Sequence, residues 1–211
     1  MHESVVMWGI LVAVGAWVVV RWLWPRKRRT PPRSTTEQAQ VRAGQVGENR
    51  ATRILRQHGL TVWSDVRVAS GGRTSQCDQI VVGPFGLCVI ETKHWTGTLQ
   101  RQGGSHWAQR KAGGSVHRYD SPESQNAYHC QVVHEVLRQH GLKRVAVYGA
   151  IVLSNPHAVF VSGPGPQPIG SPEEIAQWIQ RLPTGRGFDA GRLERILRGS
   201  GQGVARATPW G

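Results

Sequence analysis

Asp78, Glu91 and Lys93 are the residues of this chain whose types and spacing could do chemistry together. They lie in CDQIVVGPFGLCVIETK (77–93), where two apolar runs flank a Gly-Pro-Phe-Gly turn. Each run carries one carboxylate that the apolar pattern does not ask for. With Pro84 and Phe85 as a two-residue turn, Gly83 pairs with Gly86, Val82 with Leu87 and Ile80 with Val89, so Asp78 falls opposite Glu91. A three-residue loop with a bulge would slip this register by one. Alternation puts Asp78, Glu91 and Lys93 on one face with Ile80, Val82, Leu87 and Val89. Like charges facing each other destabilise a sheet, and two carboxylates about 5 Å apart do not both stay ionised without a positive partner. Lys93 is one such partner. A divalent cation, Mg²⁺ or Mn²⁺, is the other, since it takes paired oxygens while keeping water and phosphate as further ligands. The competing reading is a salt-bridged pair on a solvated sheet face, and the apolar residues sharing that face argue against it.

The elements that must position these groups follow from pattern. A helical stripe runs from Thr36 to His58, through Val41, Ala43, Gly44, Ala51, Ile54 and Leu55, with Gly59 as its stop. LTVWSDVRV (60–68) reads as a strand and SGGRTSQ (70–76) as a loop. After the hairpin, GTLQR (97–101) and HWAQR (106–110) read as short strands. Ser121, Pro122 and Glu123 open a helix over 121–142 that Gly141 closes. RVAVYGAIVLS (144–154) has the continuous apolar character of a strand buried on both faces. AVFV (158–161), a Pro/Gly loop (163–168) and helices near 172–182 and 189–198 follow. The order predicts an α/β fold with helices on both faces of a mixed central sheet.

Bulk properties bound the partners. There are 26 Lys and Arg against 13 Asp and Glu, a net charge of +13. The first 40 residues hold six bases and two acids, which leaves +9 on the rest. Such an excess suits a polyanion such as nucleic acid, or simply a solvated basic surface. Lysine is scarce, four against 22 arginines, so Lys93 stands out. Cys77, Cys88 and Cys130 form no C-x-x-C pair and indicate neither a zinc ribbon nor a disulfide framework. Cys77 and Cys88 are expected together on the face opposite the acids, off register for a bridge.

SVVMWGILVAVGAWVVVRWLW (4–24) is almost wholly apolar and is followed by PRKRR. It reads as one uncleaved transmembrane helix through the lipid bilayer. The positive-inside rule places the N-terminus outside and the body in the cytoplasm, on the inner (plasma) membrane. The expected division is an anchor over 1–24, a basic Pro-rich linker over 25–39, the main domain over 40–155, a helical extension over 156–198 and a flexible tail over 199–211.

An Asp, about a dozen residues, then Glu-x-Lys on the next strand resembles the signature of the PD-(D/E)XK nuclease superfamily, here with Cys77 where its name has Pro. GQVGEN (44–49), IETKHWTG (90–97), Trp107 and SPESQNAYH (121–129) resemble the nuclease-related domain, NERD, over roughly 40–155. The resemblance implies a restriction-endonuclease-like fold and Mg²⁺- or Mn²⁺-dependent hydrolysis of nucleic acid, DNA ahead of RNA. It implies Asp78 and Glu91 as metal ligands, Glu48 as an added carboxylate at the metal, and Lys93 as the catalytic lysine. Gln125, Tyr128 and His129 would position the site or bind nucleic acid. Each has a plainer alternative. Glu48 as an exposed helix acid, Gln125 paired to backbone, His94 and His129 as structural groups, and Trp63, Trp95 and Trp107 as packing all remain open. A catalytically silent binding or docking module on the same fold is the alternative function.

Overall fold

The structure is a computed structural model and describes residues 35–102, 105–185 and 187–202. The apolar segment 4–24 and the linker to residue 34 lie outside the described residues. Among those described, no helix is long and apolar enough to cross a membrane.

Helix α1 (Thr35–Gln57) stops where Gly59 takes a positive φ of 78°. β1 (Thr61–Ser70), β2 (Arg73–Gly83) and β3 (Gly86–Lys93) form an antiparallel meander. The stretch read as a loop over 70–76 is a two-residue hairpin. Gly71 and Gly72 both have positive φ, 56° and 76°, which lets β2 pair with β1 from Arg73 onward. The second turn is the two-residue one at Pro84 and Phe85, with Gly83 paired to Gly86 as the sequence predicts.

β4 (Gly97–Gln102), β5 (His106–Arg110) and β6 (Val116–Asp120) follow, then α2 (Pro122–Gln139), β7 (Val147–Leu153), β8 (Ala158–Phe160), β9 (Ile169–Gly170), α3 (Pro172–Gln180) and α4 (Ala190–Ser200). Instead of one central sheet there are two, ordered β1-β2-β3-β7-β9 and β6-β5-β4-β8. β6 and β9 have no counterpart in the sequence reading. β6 is mostly exposed, so its apolar signal is weak, and β9 is only two residues long. β7 runs parallel to β3 and both are largely buried, which accounts for their apolar runs.

Helices cover both faces of the five-stranded sheet. On one face Val132, Val133, Val136 and Leu137 of α2 and Leu193 and Leu197 of α4 pack with Ile80, Val82, Leu87 and Val89. On the other, Ala51 and Leu55 of α1 and Ile175, Ala176 and Ile179 of α3 pack with Val81, Cys88 and Ile90. The residues after 155 therefore contribute strands to both sheets and helices to both cores. α4 carries on through Gly199 to Ser200, whose Oγ accepts a 3.3 Å hydrogen bond from Ala69 N, so the first residues of the expected tail are tied to β1.

Candidate active site at the fork between β2 and β3

The strands that carry the acids part where the acids sit. The β2–β3 ladder keeps the predicted register from Gly83↔Gly86 to Gln79↔Ile90 and ends there. Asp78 is therefore not laddered across from Glu91. Its Oδ2 accepts a 2.9 Å hydrogen bond from Thr92 N, so a side chain replaces the next backbone rung. The sheet forks instead of pressing two carboxylates face to face.

A second irregularity lies on the other side of β2. β1 pairs Ser64 with Gln79 and Val66 with Cys77, so Asp65 stands opposite Asp78 in a gap of that ladder. Asp65 is the one described non-glycine residue with positive φ, at 48°. Side-chain alternation changes parity at this pair. Trp63 and Val66 share a core on β1, and Cys77 and Ile80 share the same core on β2. Cys77 thus faces α2 while Cys88 faces α1, which corrects the expectation that both thiols lie together away from the acids. All three cysteines are free.

Glu91 is 2 % exposed at the end of β3. Lys93 Nζ lies 2.7 Å from Glu91 Oε1, and it donates a 3.1 Å hydrogen bond to Gln125 Oε1 on the first turn of α2. One helical turn on, His129 Nε2 lies 3.4 Å from Glu91 Oε2. That is ion-pair range but long for a hydrogen bond, and both atoms are otherwise without a partner. Burial alone would raise the Glu91 carboxyl, but the His129 imidazole and the Lys93 ammonium outweigh it and hold the group below its ordinary value. Asp78 goes the other way. Burial, then the charges of Glu91 and Glu48, push it well above the usual carboxylate range.

Glu48 sits half-buried on α1 because Gly47 lets the helix approach the end of β3. A β-carbon on Gly47 would lie 2.6 Å from both His94 Cβ and Ser154 Oγ. Gly44, the other glycine of that turn, has open space around it and has no such role. Burial first, then the charges of Glu91 and Asp65, raise Glu48. Even so, among the described residues no three His, Cys, Asp or Glu side chains gather closely enough to hold a metal ion by themselves. What fits an ion such as Mg²⁺ is a pair of hard oxygen donors, Asp78 and Glu91. Water or phosphate would complete the shell.

The remaining predicted residues divide. Gln125 meets Lys93 and His129 meets Glu91. Tyr128 turns away, donating from its hydroxyl to Thr74 O at 3.0 Å beneath the Arg73 guanidinium, 4.8 Å from the ring centroid. Trp63 and Trp107 are core residues. Trp95 lies under Lys93, with Nζ 5.6 Å from its ring, and stacks on Tyr119 at 4.5 Å. His94 bonds Ser154 Oγ at 3.0 Å in the joint with α1.

Two residues of this neighbourhood escaped sequence reasoning, Asp65 and Ser75. Ser75 Oγ lies 2.7 Å from His129 Nδ1. Both were concealed by reading 70–76 as a loop. Had Gly71–Gly72 been taken as a two-residue turn, counting back along the strands would have set Asp65 opposite Asp78.

Among known proteins, one match is 31% identical over 94 residues to a protein of Streptomyces coelicolor called "Probable kinase PglW". It covers 44% of this chain but only 6% of that protein. No solved structure matches. The sequence pattern of the nuclease-related domain, NERD, matches residues 43–154, a span that holds α1 from its middle, both acids, Lys93, and α2 through β7. This chain belongs to the nuclease-related domain family, NERD.

Proposed function

We propose that the chain is a divalent-metal-dependent nuclease that hydrolyses phosphodiester bonds, with DNA as its first substrate class. The observation that carries the reading is the fork. Asp78 is raised by burial and then by the charges of Glu91 and Glu48, beside the spot where Glu91, Lys93 and Gln125 converge. Lys93 pairs with Glu91 alone, so a cation shared with Asp78 would offset the burial of the second acid.

Asp78 and Glu91 would hold Mg²⁺ or Mn²⁺, with Glu48 acting across an intervening water. When bound, such an ion supplies positive charge for the phosphate and a water activated near neutral pH. The chain's own groups do the rest. Lys93, fixed between Glu91 and Gln125, presents a compact ammonium that can orient the attacking water or meet charge growing on the phosphoryl oxygens. Gln125 keeps that ammonium from collapsing wholly onto Glu91. The basic excess of the chain draws the polyanion in. Residues 4–24 would anchor the domain to the inner face of the membrane, so that cleavage takes place at the bilayer; membrane fractionation of the whole chain tests that placement.

The purified chain, given Mg²⁺ or Mn²⁺ with single-stranded DNA, duplex DNA or RNA, tests the nuclease reading. Cleavage that EDTA, Asp78→Ala and Lys93→Ala each abolish is expected. Cleavage indifferent to both substitutions would overturn it. Salt-sensitive DNA binding without cleavage, unchanged by Asp78→Ala, would favour a silent binding module on the same fold.

A further inference from the structure

Behind Glu91 lies a row of buried groups that metal binding and hydrolysis do not themselves require. His129 on α2 is 4 % exposed, Ser75 on β2 is 7 %, and Cys77 is fully buried. Ser75 Oγ lies 2.7 Å from His129 Nδ1 and 3.6 Å from Cys77 Sγ, and His129 Nε2 lies 3.4 Å from Glu91 Oε2. We propose that Cys77, Ser75 and His129 form a one-directional hydrogen-bond relay that fixes His129 as its Nε2–H tautomer and so sets the orientation of the Glu91 carboxylate. Ser75 and Cys77 are thereby positioning residues of the site. This rests on the nuclease reading only in taking Glu91 as the group whose orientation matters.

Taking the imidazole as neutral, the direction follows from donor and acceptor capacity. An ionised Glu91 accepts only, so the ring nitrogen facing it must carry a proton; a bare Nε2 lone pair there would repel the carboxylate. In the neutral imidazole Nδ1 is then an acceptor, and the Ser75 hydroxyl, at 2.7 Å, must donate to it. A hydroxyl that donates its only proton can still accept, and the Cys77 S–H at 3.6 Å is the donor within reach. Each group thus fixes the next. The place of Cys77, directly before Asp78, joins the relay to the strand that carries the other acid. The 3.4 Å separation between His129 and Glu91 leaves slack that shortens if Glu91 turns. Supports of this kind behind a ligand are worth about 10- to 100-fold in metal affinity.

The test uses the full chain. Nitrogen-15 chemical shifts of the His129 ring, assigned by comparison with His129→Gln, are expected to report Nε2–H in the wild type. Titration calorimetry with Mn²⁺ is expected to show about ten-fold weaker binding in Ser75→Ala and recovery in Ser75→Thr, which restores the hydroxyl on a β-branched residue suited to a strand. An Nδ1–H or imidazolium signature in the wild type overturns the relay even if every variant folds poorly. Mn²⁺ binding in Ser75→Ala equal to wild type overturns it as well. Finding the predicted tautomer and the Ser75 effect without any nucleic-acid cleavage would uphold the relay while refuting the nuclease reading.

Discussion

Replacing Asp78 by Asn should stabilise the metal-free protein while removing its response to metal. Asp78 and Glu91 are neighbours in the strand order, and Glu91 is the first charge after burial to raise Asp78. At an effective dielectric near 20, two unit charges about 5–8 Å apart repel by about 2–3 kcal/mol. Lys93, 2.7 Å from Glu91, offsets part of that, so the net relief falls at about 1–3 kcal/mol. Asn keeps an oxygen to accept from Thr92 N, so the 2.9 Å bond that replaces the missing rung survives. For a chain of this size the gain corresponds to a Tm about 3–9 °C higher in EDTA. Wild type should gain about 3 kcal/mol when Mn²⁺ is near 100 times its Kd, and the variant far less. The gap in EDTA should narrow as pH falls. Asp78, raised in the fold, takes up its proton before an unfolded carboxyl does, so its cost is present above the ordinary carboxylate range and disappears below it. Thermal unfolding in EDTA and in Mn²⁺ decides the matter. A variant less stable than wild type in EDTA, or equal Mn²⁺ stabilisation of both proteins, refutes the reasoning.

Lys93→Met should abolish cleavage while leaving Mn²⁺ binding measurable by calorimetry. Because Lys93 helps hold Glu91 low, its loss should also move the acid limb of Mn²⁺ binding to higher pH. Gly47→Ala gains about 1 kcal/mol of helix propensity, but its methyl meets His94 and Ser154. Overpacking of that kind costs about 1–3 kcal/mol, so a lower urea midpoint is expected; an unchanged one would mean that α1 yields freely there. Arg101 grips the buried Glu123 with both arms, at 2.8 and 2.9 Å, and ties β4 to α2. Arg101→Met should cost about 3 kcal/mol in chemical denaturation, because Trp107 alone remains at 3.3 Å to satisfy the acid.

The metal alone should protect the site region more than any other. Amide exchange of Thr92, whose N–H Asp78 accepts, is expected to slow on Mn²⁺ addition, as measured by mass-resolved exchange of the β3 segment. Unchanged protection there would place the ion elsewhere.

Short-range physics made much of this protein legible in its residues. The two-residue turn at Pro84 and Phe85 fixed the register of β2 on β3 without reference to anything distant. Caps at Ser121 and Ser171 and stops at Gly59 and Gly141 set helix ends locally. Spacing of two on a strand put Glu91 and Lys93 on one side, and spacing of four on a helix did the same for Gln125 and His129, whose place near the acids only the family resemblance implied. Tertiary structure alone decided the rest. Whether two acids one rung apart stay paired depends on what lies on the far side of β2, and Asp65 with its left-handed backbone is there. The parity change at that pair sends Cys77 toward α2, which strict alternation along β2 would deny, while Cys88 keeps the α1 face that alternation along β3 gives it. The second sheet likewise depends on β8 reaching β4 from some 60 residues away, a pairing whose energy lies in contact and leaves no mark in local pattern.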